Sequence, residues 1–548
     1  MSLNHAQTEA VAHNEGPCMV LAGPGSGKTL TIAKRIEYLI MKHKVRPEEI
    51  LVITFTKYAA WEMKNRTRSI CGPSSYAVTF GTFHGIYYGI LKWAYRLNQS
   101  NLLSDEEKYR ILREILPGID WDQEPEADEE KDYLQELAIE IGNVKNNCMD
   151  IEEYEPVKYT TEKFRKLYRT YEETKKKYRK IDFEDMLIQC RDLFMKRPDI
   201  LKKWQEKFQY ILVDEFQDVN QAQYDVVRML AAPQDNLFVV GDDDQSVYGF
   251  RGAKPGIMME FMKDYPKARQ ILLDVNYRSS GYIVKGALRV IGNNKIRFEK
   301  KIEAFRKPDE TVHVQEVKDP VQEAEYVLGK IKECQEKGIA YTDIAVLYRT
   351  NVDARAMSEL MMEYQIPFVM KEHLNNIYEH FIAQDISSYF HLSQGEYSRK
   401  YFLQIANRPN RFFSRDSMKG GTVTYDSLRE YYRDKNWMRD RVDQLEWDMK
   451  MIKDKTPYAA IQYIRKHMGY DEFLKDYAAY RKISVEDLFA VLEEIWQNSK
   501  GYRTIGDWFE HVERYGEILK EQNCKKNAAE GVNLMTMHAA KGLEFDTV

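Results

Sequence analysis

The sequence predicts an α/β protein with two parallel-sheet core domains, each interrupted by a mainly helical insertion. Short apolar segments typical of buried strands alternate with helical segments in two separate parts of the chain. The length of 548 residues is also too great for one hydrophobic core, since a domain holds about 150 residues. The long segments between the strand patterns are polar and helical, which predicts insertions rather than further sheet.

The first core is predicted from four apolar segments with the pattern of buried strands. They are residues 19–21, 51–55, 210–213 and 237–240. A helix is predicted over residues 30–40, directly after a glycine-rich turn. Residues 86–206 are helical and polar, and their acidic run at 122–132 is predicted to be a solvated loop or helix face rather than a binding site.

A second α/β pattern follows later in the chain. Residues 312–317, 344–348 and 532–537 are predicted to be strands. The stretch at 372–530 between them is helical and rich in Tyr, Lys, Arg and Glu. This pattern predicts a second core with its own helical insertion.

Composition excludes several classes of protein. The chain has no apolar run of eighteen residues, which argues against a membrane span, and its first eight residues lack the pattern of a secretory signal. The six cysteines form no Cys-x-x-Cys pair, which argues against a zinc or iron–sulfur site and is typical of the reducing cytoplasm. With a net charge of −5, a nucleic-acid-binding protein would have to gather its positive charge in a local groove.

An eight-residue segment after the first predicted strand has the composition of a phosphate-binding loop. It consists of Ala22, Gly23, Pro24, Gly25, Ser26, Gly27, Lys28 and Thr29. Glycines let successive backbone N–H groups turn towards phosphate oxygens, and the N-terminus of the following helix adds partial positive charge. Lys28 is predicted to reach the outer phosphates and Thr29 to ligate Mg²⁺. The alternative is an ordinary glycine-rich turn.

The third predicted strand ends in two carboxylates, Asp214 and Glu215. Asp214 is placed to hold the Mg²⁺ ion through water, and Glu215 to polarise the water that attacks the γ-phosphate. An apolar strand that ends in Asp-Glu is common by itself. Together with the loop that contains Lys28, it predicts hydrolysis of a nucleoside triphosphate such as ATP.

Further segments resemble, in the same order, the motifs of the UvrD/PcrA/Rep helicases of superfamily one. Gln7 lies where that family has an adenine-reading glutamine. The matching segments are residues 54–56 and 82–84 (motifs Ia and Ib), 182–185 (a further family segment), 214–218 and 240–253 (motifs II and III), 276–279 (motif IV) and 534–545 (motif V). The resemblance runs from residue 7 almost to the last residue and implies two RecA-like core domains.

Pattern and resemblance together predict where the domains begin and end. The predicted ranges are 1–85 with 207–275 for the first RecA-like core, 86–206 for its insertion, 276–371 with 531–548 for the second core, and 372–530 for the second insertion. The second core is predicted to be incomplete at its carboxy-terminal end.

The resemblance implies roles in nucleotide binding and hydrolysis for five further residues. Gln7 is expected to hydrogen-bond the adenine edge and Tyr277 to stack on the adenine face. Gln245 is expected to sense the γ-phosphate. Arg278 is expected to stabilise the transition state from the second core domain. Glu544 is expected near the ribose or at the cleft between the domains. The predicted catalytic residues are Lys28, Asp214, Glu215, Gln245 and Arg278.

Other residues are predicted to contact single-stranded DNA. Tyr248 and Phe250 are expected to stack on bases, an interaction that tolerates any sequence and contributes about 1–3 kcal/mol per base. Contacts with phosphate or neighbouring bases are predicted for Thr56, His84, Arg251 and His538. Phe55 and Phe83 belong to the same predicted surface, with the alternative that their rings fill core space.

The chain departs from the family pattern at three places. Leu30 replaces an arginine that packs against adenine, so we expect weaker or less selective base stacking. Lys57 and Tyr58 replace Asn-Lys after the segment at 54–56. The segment with motif VI, whose arginine also reaches the γ-phosphate, is not found before Val548. We therefore expect nucleotide and DNA binding to be retained better than hydrolysis and unwinding.

The sequence thus predicts an ATP-dependent DNA helicase of the cytoplasm that moves on single-stranded DNA and unwinds duplex DNA at single/double-strand junctions in repair, recombination or replication. The resemblance implies 3′-to-5′ movement. Three alternatives stay open. They are a translocase that removes bound proteins without separating strands, a helicase subunit of a recombination nuclease complex, and a DNA-binding protein without catalytic activity.

Overall fold

The structure is a computed structural model with mixed α/β architecture and parallel sheets, which confirms the predicted fold class. The described residues are 3–119, 130–156, 159–246, 254, 256–307, 311–350, 353–370, 376–481, 483–524 and 530–548. The chain divides into two compact units, unit 1 (Met1–Gln315) and unit 2 (Glu316–Val548).

Unit 1 is built on a six-stranded sheet. Its strands are β1 (Cys18–Ala22), β2 (Ile50–Thr54), β3 (Thr79–Thr82), β4 (Tyr210–Val213), β5 (Leu237–Gly241) and β6 (Arg269–Leu273). The spatial order is β3-β2-β4-β5-β1-β6, and every neighbouring pair is parallel. The loops after the strands therefore lie along one edge of the sheet, which is where ligands bind in open α/β sheets.

The central strands are apolar because both faces of the sheet are covered. All residues of β1, β2 and β5 are buried. In the register, Val20 of β1 lies opposite Val240 of β5 and Ile271 of β6. Continuous apolar strands of this kind are typical of parallel sheets packed between helices.

The helices of unit 1 cover that sheet and form the first insertion. They are α1 (His5–Ala12), α2 (Lys28–Met41), α3 (Lys57–Cys71), α4 (Phe83–Tyr95), α5 (Asp105–Ile115), α6 (Glu130–Asn146), α7 (Thr161–Lys177), α8 (Phe183–Lys196), α9 (Pro198–Lys207), α10 (Gln221–Ala231), α11 (Gly256–Asp264) and α12 (Gly281–Ile291). A short parallel pair, β7 (Val275–Asn276) and β8 (Glu303–Ala304), lies on either side of α12 in the sequence.

A buried ion-pair cluster joins the insertion helices to α8. Lys145 lies 2.7 Å from Asp182 and 2.8 Å from Asp185, and Lys175 lies 2.9 Å from Asp182. Asp182 and Asp185 also form the capping box that begins α8. The segment at 182–185 therefore has a structural role, because its carboxylates neutralise the two buried ammonium groups.

Unit 2 contains a three-stranded parallel sheet in the order β10-β11-β9. Its strands are β9 (Ala345–Tyr348), β10 (Phe368–Met370) and β11 (Val532–Thr536). Its helices are α13 (Pro320–Glu336), α14 (Ala354–Glu363), α15 (Phe381–Ser393), α16 (Arg399–Ile405), α17 (Tyr425–Tyr431), α18 (Asn436–Lys453), α19 (Pro457–Lys466), α20 (Tyr470–Arg481), α21 (Val485–Asn498) and α22 (Ile505–Cys524). The segment predicted as a helical insertion at 372–530 contains α15 to α22.

One predicted strand is wrong. Residues 312–317 are described and form no strand; Val312 is 61% exposed and Val314 is 94% exposed. An alternating apolar pattern becomes a strand only where a neighbouring strand pairs with it and a core covers one face. The predicted strand near 344–348 is confirmed as β9, and that at 532–537 as β11.

The described residues include no helix that is both long and apolar enough to cross a membrane. The division at 315 and 316 differs from the predicted change of core domain at 275 and 276. β7 and the residues that follow it, up to Gln315, belong to unit 1. The predicted domain limits stay predictions. The acidic run at 122–132 lies mostly outside the described residues.

Candidate functional site

The phosphate loop of unit 1 connects β1 to α2. Gly25 has a φ of +63° and Gly27 a φ of +80°, backbone conformations that favour glycine. The hydroxyl of Ser26 donates a 2.7 Å hydrogen bond to the carbonyl oxygen of Gly23, which closes the turn. Ala22 is buried at the end of β1, while Pro24 is exposed at the tip. The loop therefore has the conformation that a phosphate-binding loop needs.

Other segments of unit 1 pack closely against this loop. A Cβ atom on Gly25 would lie 2.6 Å from the Cβ of Arg278 and 2.7 Å from the Oδ1 of Asn276. A Cβ on Gly23 would lie 2.7 Å from the Cδ1 of Ile302. The backbone N–H of Tyr277 donates to the carbonyl oxygen of Gly25 at 2.9 Å. The segment at 276–279 therefore contacts the phosphate loop within unit 1.

Gln7 lies beside the same loop. Its Nε2 donates to the carbonyl oxygen of Ser26 at 3.0 Å, and its Oε1 accepts from the N–H of Asn4 at 3.0 Å. The side chain of Asn4 donates to the hydroxyl of Tyr277 at 2.9 Å, and the ring of Tyr277 lies 5.1 Å from that of Phe305. The residues predicted to bind adenine, Gln7 and Tyr277, are thus linked through Asn4.

Lys28 and Thr29 begin α2. The Nζ of Lys28 lies 3.5 Å from the carbonyl oxygen of Ala22, so the ammonium group turns back over the loop. The free N–H groups at this end of α2 add partial positive charge at the same place. An anion bound in the loop would therefore be stabilised by the ammonium group of Lys28 and by the partial positive charge of the helix N-terminus.

Asp214 and Glu215 follow β4 at the edge of the sheet where the phosphate loop follows β1. The N–H of Asp214 donates to the carbonyl oxygen of Ile53 at 2.9 Å, which fixes it to β2. Burial and the charge of Glu215 together raise the pKa of Asp214 to about 7, against the opposing charge of Lys28. The carboxylate is therefore placed where a nearby cation would stabilise its charge.

These residues fit a Mg²⁺ ion. Mg²⁺ prefers oxygen ligands and is held in nucleotide sites by one or two carboxylates together with phosphate oxygens. Asp214 offers a carboxylate and Thr29 a hydroxyl, and a divalent cation would offset both the burial and the charge of Glu215 that raise the pKa of Asp214.

A chain of hydrogen bonds leads from Glu215 to Gln245. The Nε2 of Gln217 donates to the Oε2 of Glu215 at 2.6 Å, and the Oε1 of Gln217 accepts from the N–H of Asp242 at 2.9 Å. The Nε2 of Gln245 donates to the Oδ2 of Asp242 at 2.7 Å. Gln217 and Asp242, both fully buried, were not among the predicted site residues.

A second group that the sequence did not indicate holds the acidic loop Asp242–Asp244. The ammonium group of Lys300 lies 2.5 Å from Asp242 and 2.8 Å from Asp244, and it also contacts Asp243. Burial opposes the charge of Lys300, but these carboxylates outweigh burial and raise its pKa. Arg297 adds a two-pronged contact with Asp244 at 2.6 and 2.8 Å.

The predicted DNA contacts near β2 and β3 differ in exposure. Thr56 is exposed and caps α3, where its hydroxyl accepts from the N–H of Ala59. Phe55 is partly exposed, and so is His84, whose pKa is lowered by burial and partly restored by Glu184. Phe83 is only 2% exposed and packs in the core, which agrees with the alternative that its ring fills core space rather than contacting DNA.

The remaining predicted residues lie elsewhere. Tyr248, Phe250 and Arg251 fall outside the described residues. His538 and Glu544 belong to unit 2, where the Nδ1 of His538 lies 3.4 Å from a guanidinium nitrogen of Arg349 and Glu544 is exposed.

Comparison with known proteins gives matches over both halves of the chain. Residues 3–266 match the family model of the UvrD/REP helicase N-terminal domain, and residues 271–548 match that of the UvrD-like helicase C-terminal domain. The whole chain is 34% identical to a putative ATP-dependent DNA helicase, YjcD, of Bacillus subtilis and covers 72% of that protein. It is 31% identical to the ATP-dependent DNA helicase PcrA of Staphylococcus aureus, of which it covers 77%. The corresponding PcrA of Staphylococcus epidermidis is 30% identical, also with 77% covered.

Proposed function

This chain belongs to the UvrD/REP helicase family, and from that premise we propose that it is an ATP-dependent DNA helicase that moves on single-stranded DNA and unwinds duplex DNA at single/double-strand junctions. The observation on which the proposal depends is the position of Lys28, Asp214 and Glu215 at one edge of a parallel sheet. The influence of the Lys28 charge on the pKa of Asp214 supports a joint role of the ammonium and the carboxylates. The pathway we propose is repair, recombination or replication.

In the proposed reaction, ATP phosphates bind in the loop between β1 and α2. Backbone N–H groups of the loop and the ammonium of Lys28 neutralise phosphate charge. Arg278 is proposed to reach the γ-phosphate, which its place against Gly25 supports. Gln7 and Tyr277 are proposed to bind the adenine, and the side-chain amide of Gln7 has a second N–H and a second lone pair for the base beside its present bonds to Ser26 and Asn4.

Hydrolysis is proposed to use Glu215 as the group that polarises the attacking water. Glu215 has a φ of +52°, and Gln217 donates a hydrogen bond to its carboxylate, which fixes the side chain. Thr29 and Asp214 would hold a Mg²⁺ ion, which when bound supplies positive charge to the phosphate oxygens.

Coupling between hydrolysis and DNA is proposed to follow the hydrogen bonds from Glu215 through Gln217 and Asp242 to Gln245. Gln245 precedes Tyr248, Phe250 and Arg251 in the sequence by a few residues. A change at the γ-phosphate would therefore reach the segment proposed to stack on bases through residues that are in direct contact.

ATP hydrolysis with and without single-stranded DNA tests the proposal. We expect DNA to stimulate turnover and Lys28→Ala to abolish it. Lys42→Ala, in an exposed lysine at the other end of the same helix, is the matched control and should keep wild-type turnover. Hydrolysis that persists in Lys28→Ala, or a chain that neither binds nor hydrolyses ATP, would contradict the proposed ATPase site, whereas nucleotide binding without hydrolysis would indicate an incomplete motor.

Direction and unwinding need a second measurement. On duplexes with one single-stranded tail, we propose 3′-to-5′ movement, so a 3′ tail should support strand separation and a 5′ tail should not. A duplex with blunt ends is the control for spontaneous melting. Separation that depends on a 5′ tail would reverse the proposed direction, while DNA-stimulated ATP turnover without strand separation would favour a translocase.

A further inference from the structure

We propose that the outer face of α3 is an additional binding surface for single-stranded DNA, made by aromatic rings and cations. This surface, the α3 face, consists of Tyr58, Trp61, Lys64, Arg68 and Tyr76. The inference rests on the proposed function, because it assigns to this face a part of the same DNA strand on which the motor would move.

The aromatic part of the α3 face is a pair of exposed rings. Tyr58 is 68% exposed and Trp61 is 60% exposed, and their ring centroids lie 5.9 Å apart with an angle of 33° between the planes. Residues three apart on a helix lie on the same side. Two large rings are thus presented together to solvent, although burial of either ring in the core would have been favourable.

The cationic part follows along the same side of the helix. Lys64 and Arg68 lie three and seven residues after Trp61, so each successive residue is about one turn further along. The guanidinium of Arg68 lies 4.9 Å from the centroid of Tyr76, a ring that is itself 62% exposed. The face therefore presents two rings, then a cation, then a guanidinium stacked on a third ring.

The charge of α3 favours a polyanion. The helix contains Lys57, Lys64, Arg66 and Arg68, and its one carboxylate, Glu62, is paired with Arg66 at 3.4 Å. This local positive charge is the feature that a chain with a net charge of −5 needs in order to bind nucleic acid.

The position of α3 connects it to the proposed DNA site. α3 begins at Lys57, directly after Phe55 and Thr56, which are proposed to contact DNA at the edge of the sheet. The rings of Tyr58 and Trp61 lie in the first turns of the helix. A strand that leaves the edge of the sheet at Thr56 would therefore meet two rings first and the cations after them.

Single-stranded DNA fits this face better than a protein partner does. Bases stack on aromatic rings without regard to sequence, and phosphates bind the cations between them. Protein–protein interfaces are also enriched in Tyr, Trp and Arg but are depleted in lysine, so Lys64 and the positive charge of the helix are what favour DNA here. Adjacent rings combined with lysine and arginine at one-turn spacing are suited to bind a single DNA strand regardless of its sequence.

The first test measures the affinity of the whole chain for fluorescein-labelled oligo(dT) by anisotropy. We expect the double variant Tyr58→Ala/Trp61→Ala to bind at least about tenfold more weakly, since stacking of each base contributes a large factor. Tyr58→Phe/Trp61→Phe should restore most of the affinity because its rings still stack. Trp447→Ala/Tyr480→Ala removes two rings of similar exposure from unit 2 and is the matched control.

The second test distinguishes the contribution of the rings from that of the cations by the salt dependence of oligo(dT) binding. Each phosphate contact on a single strand contributes about 0.7 to the slope of log K against log salt concentration. Lys64→Gln/Arg68→Gln should therefore lower that slope by about 1.4. The double ring variant should weaken binding and leave the slope unchanged.

The inference is overturned if both double variants bind oligo(dT) with the same affinity and the same salt slope as the wild-type chain. This holds provided that the wild-type chain itself binds oligo(dT) and shows DNA-stimulated ATP turnover. In that case the proposed function stands and the α3 face is a docking surface for another protein. A wild-type chain that neither binds oligo(dT) nor hydrolyses ATP would instead overturn the proposed function itself. All four side chains are at least partly exposed, so loss of folding, checked by thermal unfolding, is not expected.

Discussion

At the scale of single residues, Gly25 shows how closely the phosphate loop is packed. Gly25→Ala would place a Cβ 2.6 Å from Arg278 and would force alanine into a φ of +63°. Gly16 has a φ of +84°, and a Cβ added there would meet nothing within 4 Å, so Gly16→Ala isolates the backbone strain. We expect Gly25→Ala to lower ATP turnover at least about tenfold and to cost about 1–3 kcal/mol more stability than Gly16→Ala.

Turnover and chemical denaturation of both variants check this prediction. If Gly25→Ala and Gly16→Ala have the same stability and turnover, the contact between the loop and the segment at 276–279 contributes to neither.

Glu215 is predicted to act on the water rather than on nucleotide binding. Glu215→Gln keeps the shape of the side chain and removes its negative charge. Because a positioned general base contributes about 10²–10⁴-fold, we expect kcat to fall by about that factor with KM little changed. Steady-state ATP hydrolysis measures both constants, and Glu206→Gln, in an exposed residue of α9, is the control. A raised KM with unchanged kcat would assign Glu215 to binding instead.

The sequence predicted residues whose function depends on neighbours in the chain and missed those whose partners are distant. Lys28 and Thr29 were predictable because the loop geometry is encoded in eight consecutive residues. Lys300 was not, because its carboxylate partners lie more than fifty residues earlier and meet it only in the folded chain. For Phe83 the sequence left both a DNA contact and core packing open, because no local pattern distinguishes a buried ring from an exposed one.

At the scale of elements, the segment from Arg297 to Ala304 holds the acidic loop and the phosphate loop. Lys300 neutralises the carboxylates of Asp242–Asp244, while Ile302 packs against Gly23. Lys300→Met would leave the buried carboxylate of Asp242 without this cation, while Arg297 still pairs with Asp244, and removing one partner of a buried ion pair typically costs about 3–5 kcal/mol. Lys301→Met, in the exposed neighbour, should change stability by no more than about 0.5 kcal/mol.

Urea denaturation of the two variants tests this expectation. A Lys300→Met variant as stable as Lys301→Met would show that the acidic loop is solvated and that the cluster contributes little.

α14 contains a carboxylate that should make the stability of unit 2 depend on pH. Burial and the charge of Glu494 together raise the pKa of Glu359 to about 7, against the opposing charge of Arg355. The folded state then binds a proton more tightly than the unfolded state, so stability falls as pH rises from about 4.5 to about 7. Glu359→Gln should therefore raise the Tm at pH 8 and change it much less at pH 5.

Glu363→Gln is the matched control, because Glu363 is exposed on the same helix. Thermal unfolding at both pH values gives the answer. An equal gain at pH 5 and pH 8 would mean that shape, and not charge, determines the effect.

Strand prediction succeeded where burial on both faces gave an unbroken apolar run, as in β1 and β5. It missed β3 and β6, the two edge strands of the six-stranded sheet. β3 includes Gly81 and two threonines, and the short apolar run of β6 at 271–273 follows the exposed residues Arg269 and Gln270. The false strand at 312–317 has the opposite origin, since its apolar residues have no core to cover.

At the scale of the whole molecule, a net charge of −5 is compatible with DNA binding only if positive charge is concentrated at the place where the DNA binds. The chain has 81 basic and 86 acidic residues, so no net attraction draws it to DNA. Many of the acidic groups are neutralised within the fold, as in the clusters around Lys145 and Lys300. A short helix such as α3, with one paired carboxylate, can then provide positive charge where the strand would bind.

The two compact units should also unfold as separate transitions. Each cluster of buried side chains in the described part of the chain draws on one unit, for example the cluster around Tyr389 and Leu445 in unit 2 and that around Val213 and Phe261 in unit 1. In calorimetry, two variants identify which transition belongs to which unit. Lys300→Met should lower the midpoint temperature of the unit 1 transition, and Glu359→Gln should raise that of the unit 2 transition at pH 8.

A nucleotide then identifies the unit that binds it. Gln7, Lys28, Asp214, Tyr277 and Arg278 all belong to unit 1. A ligand at a hundred times its Kd stabilises the state that binds it by about 2.7 kcal/mol, so ADP with Mg²⁺ should raise the transition that Lys300→Met lowers. The same addition to Lys28→Ala should have a much smaller effect. If ADP instead raised the transition marked by Glu359→Gln, residues of unit 2 such as Glu544 would contribute more to nucleotide binding than the phosphate loop does.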